Sequence, residues 1–597
     1  MKPRKLSPTL STHARWTLLA LIAALTLSAS IINSRSSAQG QIQVTAANPA
    51  SGEQGTINLD VKVTGKGFKN GAKAKWFVTG SSDPGGVTVN STTFVSSTEL
   101  TANITVSDTA AISNFDIQVL NADGRGGKGT ELFAVTAKGN QASSCPVQPP
   151  PPTGDTRCYA ALPGCFDTSF GGGAGFVNTH HGSAAARYAS GVVVQPDGKI
   201  IAAGVARPSS SWDDVAVTRF NTDGSLDLSF GDPDALSPGL RLGYVVTTIT
   251  TSNTLYTRDV ALQPDGKILV SGNYYVNRYI GFVVRYNPNG TLDSAFGSGG
   301  IVILNFKKPA ASPHYDVAIQ ADGKIVIGGA GPDGFAVARL LSNGSVDTSF
   351  GSGGLVVANP SGASGGTSAG WSMTIQRVPA VTGEERIVLA GSSKTSSGDN
   401  PDWTLMRLRS NGATDTSFGT GGVVKTPFFG YRDEVHAVTI DNSNRIVAAG
   451  NVSTASTDTC GGYVIDYAVV RYNENGSMDG TFGGGKQLVD FYGGHDEAPY
   501  EVAVQSDNKI VGLVWAQNSN SSPAVENFGL VRFNIDGSRD FSFGLLGNGL
   551  VTTDFFGYHD LAAAVALQPG DGKIIAVGSL IGVGADSHDL VVARYWP

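Results

Sequence analysis

The chain has 597 residues, 78 of them Gly, and carries 42 Lys and Arg against 49 Asp and Glu, a net charge of −7. This length predicts two or more folded units, and the abundance of Gly, Asn, Asp, Ser and Thr predicts an all-β protein with many tight turns. The acidic balance argues against the basic face that nucleic acid requires, and no long run of like charge marks an interaction tail.

Residues 1–38 read as a targeting segment. Lys2, Arg4, Lys5 and Arg15 precede an apolar stretch, Trp16–Ala29, and Ser36-Ser37-Ala38 supplies small residues for cleavage. A Sec-type signal with mature Gln39 is expected, and hence an exported protein that is periplasmic, cell-surface or secreted. The rival reading, an uncleaved anchor, needs a longer apolar span. No later segment has transmembrane length.

Residues 39–139 show short alternating strands. INLDVKVTG places Ile57, Leu59, Val61 and Val63 on one face, and ELTANITVS does the same with Leu100, Ala102, Ile104 and Val106. Period two over six or seven segments in about a hundred residues predicts a sandwich. The segments NPASGEQGT, VTGKGFKNGAK, VSSTELTANI and VLNADGRGGKGTELFAVT resemble the IPT/TIG family of immunoglobulin-like domains. That resemblance implies a presenting or binding role and no chemistry.

Residues 140–164 form a linker in which four consecutive Pro from Pro149 favour a semi-rigid extended spacer. Of four Cys, Cys145, Cys158 and Cys165 cluster there. Cys145–Cys158 and Cys158–Cys165 are both open as pairings in an oxidising compartment, and Cys460 is either a partner or free.

Residues 165–597 are self-similar. A turn of the QPDGK type recurs, with its basic residue at Lys199, Lys267, Lys324, Arg386, Arg445, Lys509 and Lys573. The spacing is roughly 57–68 residues, enough for four short strands. A strand ending in Arg also recurs, at Arg219, Arg285, Arg339, Arg407, Arg471, Arg532 and Arg594. Four-stranded units in this number predict a seven-bladed β-propeller with four-stranded blades. The expected whole is an N-terminal immunoglobulin-like sandwich followed by that propeller. A solenoid, the competing architecture, would want distinct polar caps. The units NTDGSLDLSFG and LQPDGKI are similar to the delta-60 repeat family of bacterial exported proteins, a resemblance that implies no common activity.

The connector motif is out of phase with its own repeat. CFDTSFGGG, at Cys165–Gly173, follows only the linker, and the last Arg strand, VVARYWP, has no connector behind it. Joining the two in space would close a ring, with Phe166 or Phe170 near Tyr595 or Trp596.

Asp167, Asp227, Asp293, Asp347, Asp415, Asp479 and Asp540 recur within the connectors. The N-x-D-G-S-x-D pattern has oxygens at alternate positions, as calcium loops do, but Leu341 and Arg409 replace the first Asn in two copies. Asx turns are therefore expected, with each Arg pairing to a connector Asp and bidentate pairs holding blade to blade. No metal or other cofactor is called.

Function is expected where the repeat breaks down, on the face of variable loops. Aligned loops there place Arg432, Asp433 and Glu434, His495 and Asp496, and His559 and Asp560 side by side, with His180 and His181 next in the ring. These are the candidate ligand-binding residues, and no catalytic residue is assigned. G-x-S-x-G, H-E-x-x-H and P-loop motifs are absent. The reading is a non-enzymatic exported binding or scaffold protein whose partner is an extracellular or cell-surface protein or glycan. The alternatives are a propeller hydrolase or lyase acting on extracellular glycans and a metal- or cofactor-dependent dehydrogenase.

Overall fold

A computed structural model describes residues 42–107, 109–136, 161–179, 185–209, 212–235, 237, 239–251, 254–304, 306, 314–331, 334–362, 367–378, 384–396, 399–455, 464–491, 497–517, 526–557, 559–581 and 588–597. The targeting segment, Cys145, Cys158, Cys460, His180, His181, His495 and Asp496 lie outside them. The chain divides into two compact units, Met1–Ser144 and Cys145–Pro597. Among the described residues there is no α-helix, and no helix is long and apolar enough to cross a membrane.

Among the described residues, the first unit contains two four-stranded sheets. One runs Gln43–Asn48, Leu59–Lys66, Glu99–Val106, Val87–Ser96, and the other Ser51–Glu53, Gly126–Thr136, Asn114–Leu120, Lys73–Val78. The alternation does what period two requires: Leu100, Ala102, Ile104 and Val106 are buried on one face of their strand, and Val61 and Val63 lie buried beside Ala102 and Leu100 on the paired strand. Trp76 packs edge-on against Phe133 inside this core, 6.1 Å between ring centres.

The second unit contains, among the described residues, seven four-stranded sheets. Their first strands are Ala185–Val194, Leu255–Leu262, Tyr315–Ile319, Thr367–Val378, Asp433–Ile440, Glu497–Val504 and His559–Leu567. Each packs on the next, and His559–Leu567 packs back on Ala185–Val194. The short strand after each SFG connector does not open a new sheet, as a linear reading of the repeat suggests. It pairs with the Arg strand before the connector and becomes the outer strand of that sheet, as Tyr244–Thr247 does with Trp212–Phe220.

This one-strand offset explains the phase of CFDTSFGGG. The last sheet takes its outer strand, Phe176–Thr179, from the start of the unit, where it pairs with His588–Tyr595. Phe166 bridges to Tyr595 and stacks on it at 4.9 Å. The contact begins before the expected domain start, because Gly164 N–H donates to the Trp596 carbonyl at 2.9 Å. Cys165 is buried and disulfide-bonded.

The recurring Arg and Asp form a repeated clamp. Arg219 Nε stands 2.7 Å from Asp227 Oδ2, and the same pair recurs at 2.8 Å for Arg285–Asp293, Arg339–Asp347, Arg407–Asp415, Arg471–Asp479 and Arg532–Asp540. Arg594 and Asp167, from opposite ends of the unit, complete the set at 2.7 Å. The basic residue after the QPDGK-type turn reaches the same carboxylate, as Lys199 does at 2.8 Å and Arg386 at 3.0 Å. Each guanidinium lies over the Phe of the SFG motif, 4.3 Å away for Arg285 and 4.7 Å for Arg594.

Asp227 Oδ1 accepts from the Ser229 N–H and hydroxyl, the expected Asx turn. The expectation of bidentate pairs between blades is corrected. Each Arg–Asp pair lies within one sheet and uses Nε, while Nη1 of Arg219, Arg285, Arg339, Arg407, Arg471 and Arg594 donates to a connector carbonyl of the next sheet, such as Pro288 O for Arg219 and Ile535 O for Arg471. The SFG glycine adds a second link: Gly231 N–H donates to Asn289 O at 2.9 Å. Its φ of 92° and a Cβ that would sit 1.9 Å from Tyr244 O require glycine there.

Phe166→Ala should cost about 3 kcal/mol in denaturant unfolding, with amide-exchange protection lost first in the sheet containing His588–Tyr595. Loss spread evenly over all seven sheets would contradict closure by this contact.

Asp415 is held at about 2, below its usual 3.8; burial opposes the shift, and donation from Ser417 together with the Arg407 and Arg386 charges outweighs it. A lowered carboxylate contributes stability above its unfolded pKa and loses it as pH falls through its folded one. Asp415→Asn should therefore lower the midpoint of thermal unfolding clearly at pH 7, by about 3 kcal/mol, and much less near pH 2.

Candidate functional site

Six of the seven first strands carry a register irregularity at one shared place. The residues skipped in the ladder are Ser190, Arg258, Trp371, His436, Tyr500 and Ala563. In the remaining sheet the ladder begins at Tyr315 without a bulge. A β-bulge re-aims a side chain out of the pleat, so repetition of one bulge around a ring turns one residue per sheet toward the axis. The next residue in each strand, counted from the Gln or Asp before the turn, is Gly191, Asp259, Asp316, Ser372, Ala437, Glu501 and Ala564.

Two layers result around the axis. In the bulge layer, Arg258 Nη1 stands 3.2 Å from His314 Nε2, and its guanidinium lies 4.9 Å from the Tyr256 ring centre. His314 meets Trp371 edge-on at 4.7 Å, and Trp371 stacks on His436 at 5.3 Å. This arc crosses four successive sheets. Burial holds both imidazoles below their usual pKa, so they are neutral near pH 7. Trp371 Nε1 and His436 Nε2 are buried with no hydrogen-bond partner among the described residues, a state that costs about 1–3 kcal/mol for each such group.

The second layer holds carboxyls. Asp259 Oδ2 accepts from Val317 N–H at 3.0 Å, Asp316 Oδ2 from Met373 N–H at 2.8 Å, and Ser372 Oγ from Val438 N–H at 3.1 Å. Each thereby ties its strand to the next sheet. Burial pushes Asp259 up to about 6. Burial, and then the charge of Asp259, push Asp316 up to about 8. Glu501, from a sheet not adjacent to either, is pushed well above its usual value by burial and by those same two carboxyls. Side chains of the second, third and sixth sheets can influence one another only across the axis.

Such a cluster can do acid–base work. Near neutral pH it contains a carboxyl that holds its proton and another that has lost it, the condition for paired acid and base roles. Among the described residues, no three His, Cys, Asp or Glu side chains are grouped to hold a metal ion.

The residues expected from the variable loops are placed differently. Asp433 is fully buried and accepts from Phe428 N–H and Ser453 N–H, both at 3.3 Å. Asp560 takes the equivalent role in another sheet, accepting from Phe555 N–H at 2.7 Å. Both brace their own loops. Arg432 pairs with Glu434 at 3.0 Å, and His559 pairs with Glu526. Among the described residues, no hydrogen bond or ion pair joins the Arg432–Glu434 group to the His559 group. Sequence reasoning missed Arg258, Asp259, Asp316, Trp371, Tyr500 and Glu501. A column of unlike polar residues just before the VALQ-type segment, in the strand nearest the axis, was the signal that marks them.

Five segments, 195–230, 263–296, 320–350, 386–418 and 442–482, match the family described as "Domain of unknown function (DUF5122) beta-propeller". Each ends on the Phe of an SFG connector and contains the Arg and Asp of one clamp. No curated protein matches the sequence. Among solved structures, the chain is similar to the polysaccharide lyase Uly1, with 10% identity over 68% of this chain and 89% of that one and a TM-score of 0.38. It is also similar to an endo-arabinase from Bacteroides thetaiotaomicron VPI-5482, with 8% identity over 47% and 93% of the two chains and a TM-score of 0.27. No activity is carried over from either.

The raised pKa of Asp316 has a stability consequence. Below about pH 4 the group is protonated folded or unfolded; between about 4 and 8 only the unfolded chain ionises, so stability falls as pH rises. Asp316→Asn removes that titration. It should raise the midpoint of thermal unfolding by roughly 5 °C at pH 8 and leave it nearly unchanged at pH 4. Equal shifts at both would show that Asp316 is ionised in the folded protein.

The matched segments and the sheet topology agree on a propeller-like fold of repeated four-stranded sheets.

Proposed function

We propose that this is an exported glycan-active enzyme, a hydrolase or lyase. In this reading an IPT/TIG-like immunoglobulin-fold module presents a seven-bladed propeller of delta-60-type repeats, and the axis of the propeller holds the reaction site. The observation that carries the reading is a set of buried carboxyls on three sheets, Asp259, Asp316 and Glu501, in which the charges of Asp259 and Asp316 act on Glu501, with Arg258, Trp371 and Tyr500 on the adjoining bulges supplying a cation and the aromatic surface that sugar rings stack on.

Glu501 is assigned as the proton donor, because burial and the charges of Asp259 and Asp316 all favour its neutral form, and Asp259 as the base. In hydrolysis, Glu501 protonates the glycosidic oxygen as its bond to the anomeric carbon breaks. Asp259 takes a proton from the water whose oxygen bonds to that carbon. In elimination the base instead removes a ring proton, and the electron pair forms a double bond as the glycosidic oxygen leaves with the donor's proton.

The full chain is to be incubated with a panel of extracellular polysaccharides while reducing ends and unsaturated ends are followed separately. Cleavage of one class is expected, with Glu501→Gln and Asp259→Asn each lowering kcat by at least about 100-fold while binding persists. Glycan binding without cleavage would favour the non-enzymatic binding reading, and cleavage that survives both substitutions would remove the axis as the site.

A further inference from the structure

On the variable-loop face the second sheet stands higher than the third. Its second strand, Ile268–Tyr275, ends eight residues past Lys267, whereas that of the third sheet, Ile325–Ala330, ends six residues past Lys324. Two residues of strand are about 7 Å. The third sheet then turns at once, with Gly331 N–H donating to Gly334 O at 2.7 Å. Register fixes which face of the second sheet looks toward the third. Ser271 Oγ donates to Tyr315 O of the third sheet, and Leu269 and Val283 pack in the core that the two sheets share. Side chains at every second position share a face, so Tyr275 lies on the face of Ser271, and its cross-strand partner Tyr279 lies there with it. Both tyrosines therefore rise above the hairpin of the third sheet. Tyr275 is 42% exposed and Val276 49%, and the two phenol rings meet edge-on at 5.1 Å. The turn between them asks only for Asn277, whose φ is 57°; nothing in it requires aromatic residues.

Tyr256, on the axial strand opposite Asn273, belongs to the same face. Three tyrosines thus cross the sheet from the axis outward, one on each of its first three strands, over about 10 Å. The inner end of the row adjoins the axial group. The Tyr256 ring centre lies 4.9 Å from the Arg258 guanidinium, and the Tyr256, Tyr279 and Tyr500 phenols all act on Arg258.

We infer that the glycan taken at the axis is an extended chain that leaves it across this face, its outer residues stacked on Tyr275 and Tyr279. The inference rests on the glycan reading above and adds its substrate class: a linear chain held through several residues, not a lone terminal sugar. A tyrosine offers a flat apolar ring with a hydroxyl at its edge, which matches a sugar ring with C–H groups on its faces and hydroxyls at its rim. Tyrosine also gives a large contact area at low cost in conformational entropy, and here both rings are borne on paired strands.

The test is calorimetric titration of the full-chain Glu501→Gln variant with linear oligosaccharides of two, four and six residues from arabinan, xylan, galactan, polygalacturonate and alginate. In one series the affinity should rise roughly 10-fold or more between the shortest probe and the longest. Tyr275→Ala together with Tyr279→Ala should bring the longest probe to within about twofold of the shortest. The corresponding pair of changes to Phe should keep most of the gain, because stacking needs the ring and not the hydroxyl. A pair of changes to Leu serves in place of Ala if the Ala pair does not fold. A shortest probe that binds as tightly as the longest, or a gain with length that survives loss of both rings, would overturn the tyrosine row and leave the glycan reading standing. Binding of no series, together with no cleavage of any polysaccharide, would count against the glycan reading itself and remove this inference with it.

Discussion

The second unit depends on a buried carboxylate shared by two cations, repeated seven times. Asp479 shows the pattern: Arg471 and Arg445 both reach Oδ2, at 2.8 and 3.1 Å, while Thr481 donates twice to Oδ1. A buried ion pair contributes little net stability over a well-packed apolar substitute, but removing one partner is costly. The value of the clamp is therefore positional. Once Arg Nε is fixed on its Asp, Nη1 can meet only one carbonyl of the neighbouring sheet, and the Phe beneath the guanidinium sets its height. The clamp converts a repeat in sequence into a fixed step in space, and it makes the closing step, Arg594 to Asp167, the same as the internal ones.

A ring held at its connector end leaves the axial strands lightly constrained. Position for position they hold Gly191, Asp259, Asp316, Ser372, Ala437, Glu501 and Ala564, from no side chain to a long acid. Where a polar group is present it can cap an N–H of the next strand, as Asp259, Asp316 and Ser372 do. The shared bulge also interrupts the ladder at the same level around the ring, which turns Arg258, Trp371, His436 and Tyr500 inward. The same backbone device therefore supplies a ring of slots whose occupants differ.

Much of the architecture was legible because it is local or periodic. The turns, the Arg and Asp columns and the orphan connector can each be read within one repeat, and the stacking of Phe166 on Tyr595 followed from counting. The axial cluster was not legible in that way. The charges of Asp259 and Asp316 reach Glu501 only because the sheets close on one another, and no spacing in the chain encodes that. The bulges leave no signature beyond an unremarkable tripeptide. Trp371 and Arg258 carry no mark in the sequence, since an aromatic or basic residue before an apolar strand reads as ordinary. In the loops, the acid-rich runs drew attention for their chemistry, while Asp433 and Asp560 serve to hold backbone N–H groups.

A raised carboxyl pKa does not by itself distinguish a site in this protein. Burial pushes Asp433 up to about 7, and Asp466 and Asp560 each to about 8. Those three differ from the axial group in what surrounds them. Asp433 and Asp560 brace loops of their own sheets, and the charges that act on all three come from nearby segments, such as Asp402, Asp490 and Asp554. Asp259, Asp316 and Glu501 instead act on each other across the ring, beside a guanidinium that the clamp pattern does not account for. Burial and the charges of the other carboxyls act in the same direction on Asp316 and Glu501, each favouring the neutral form.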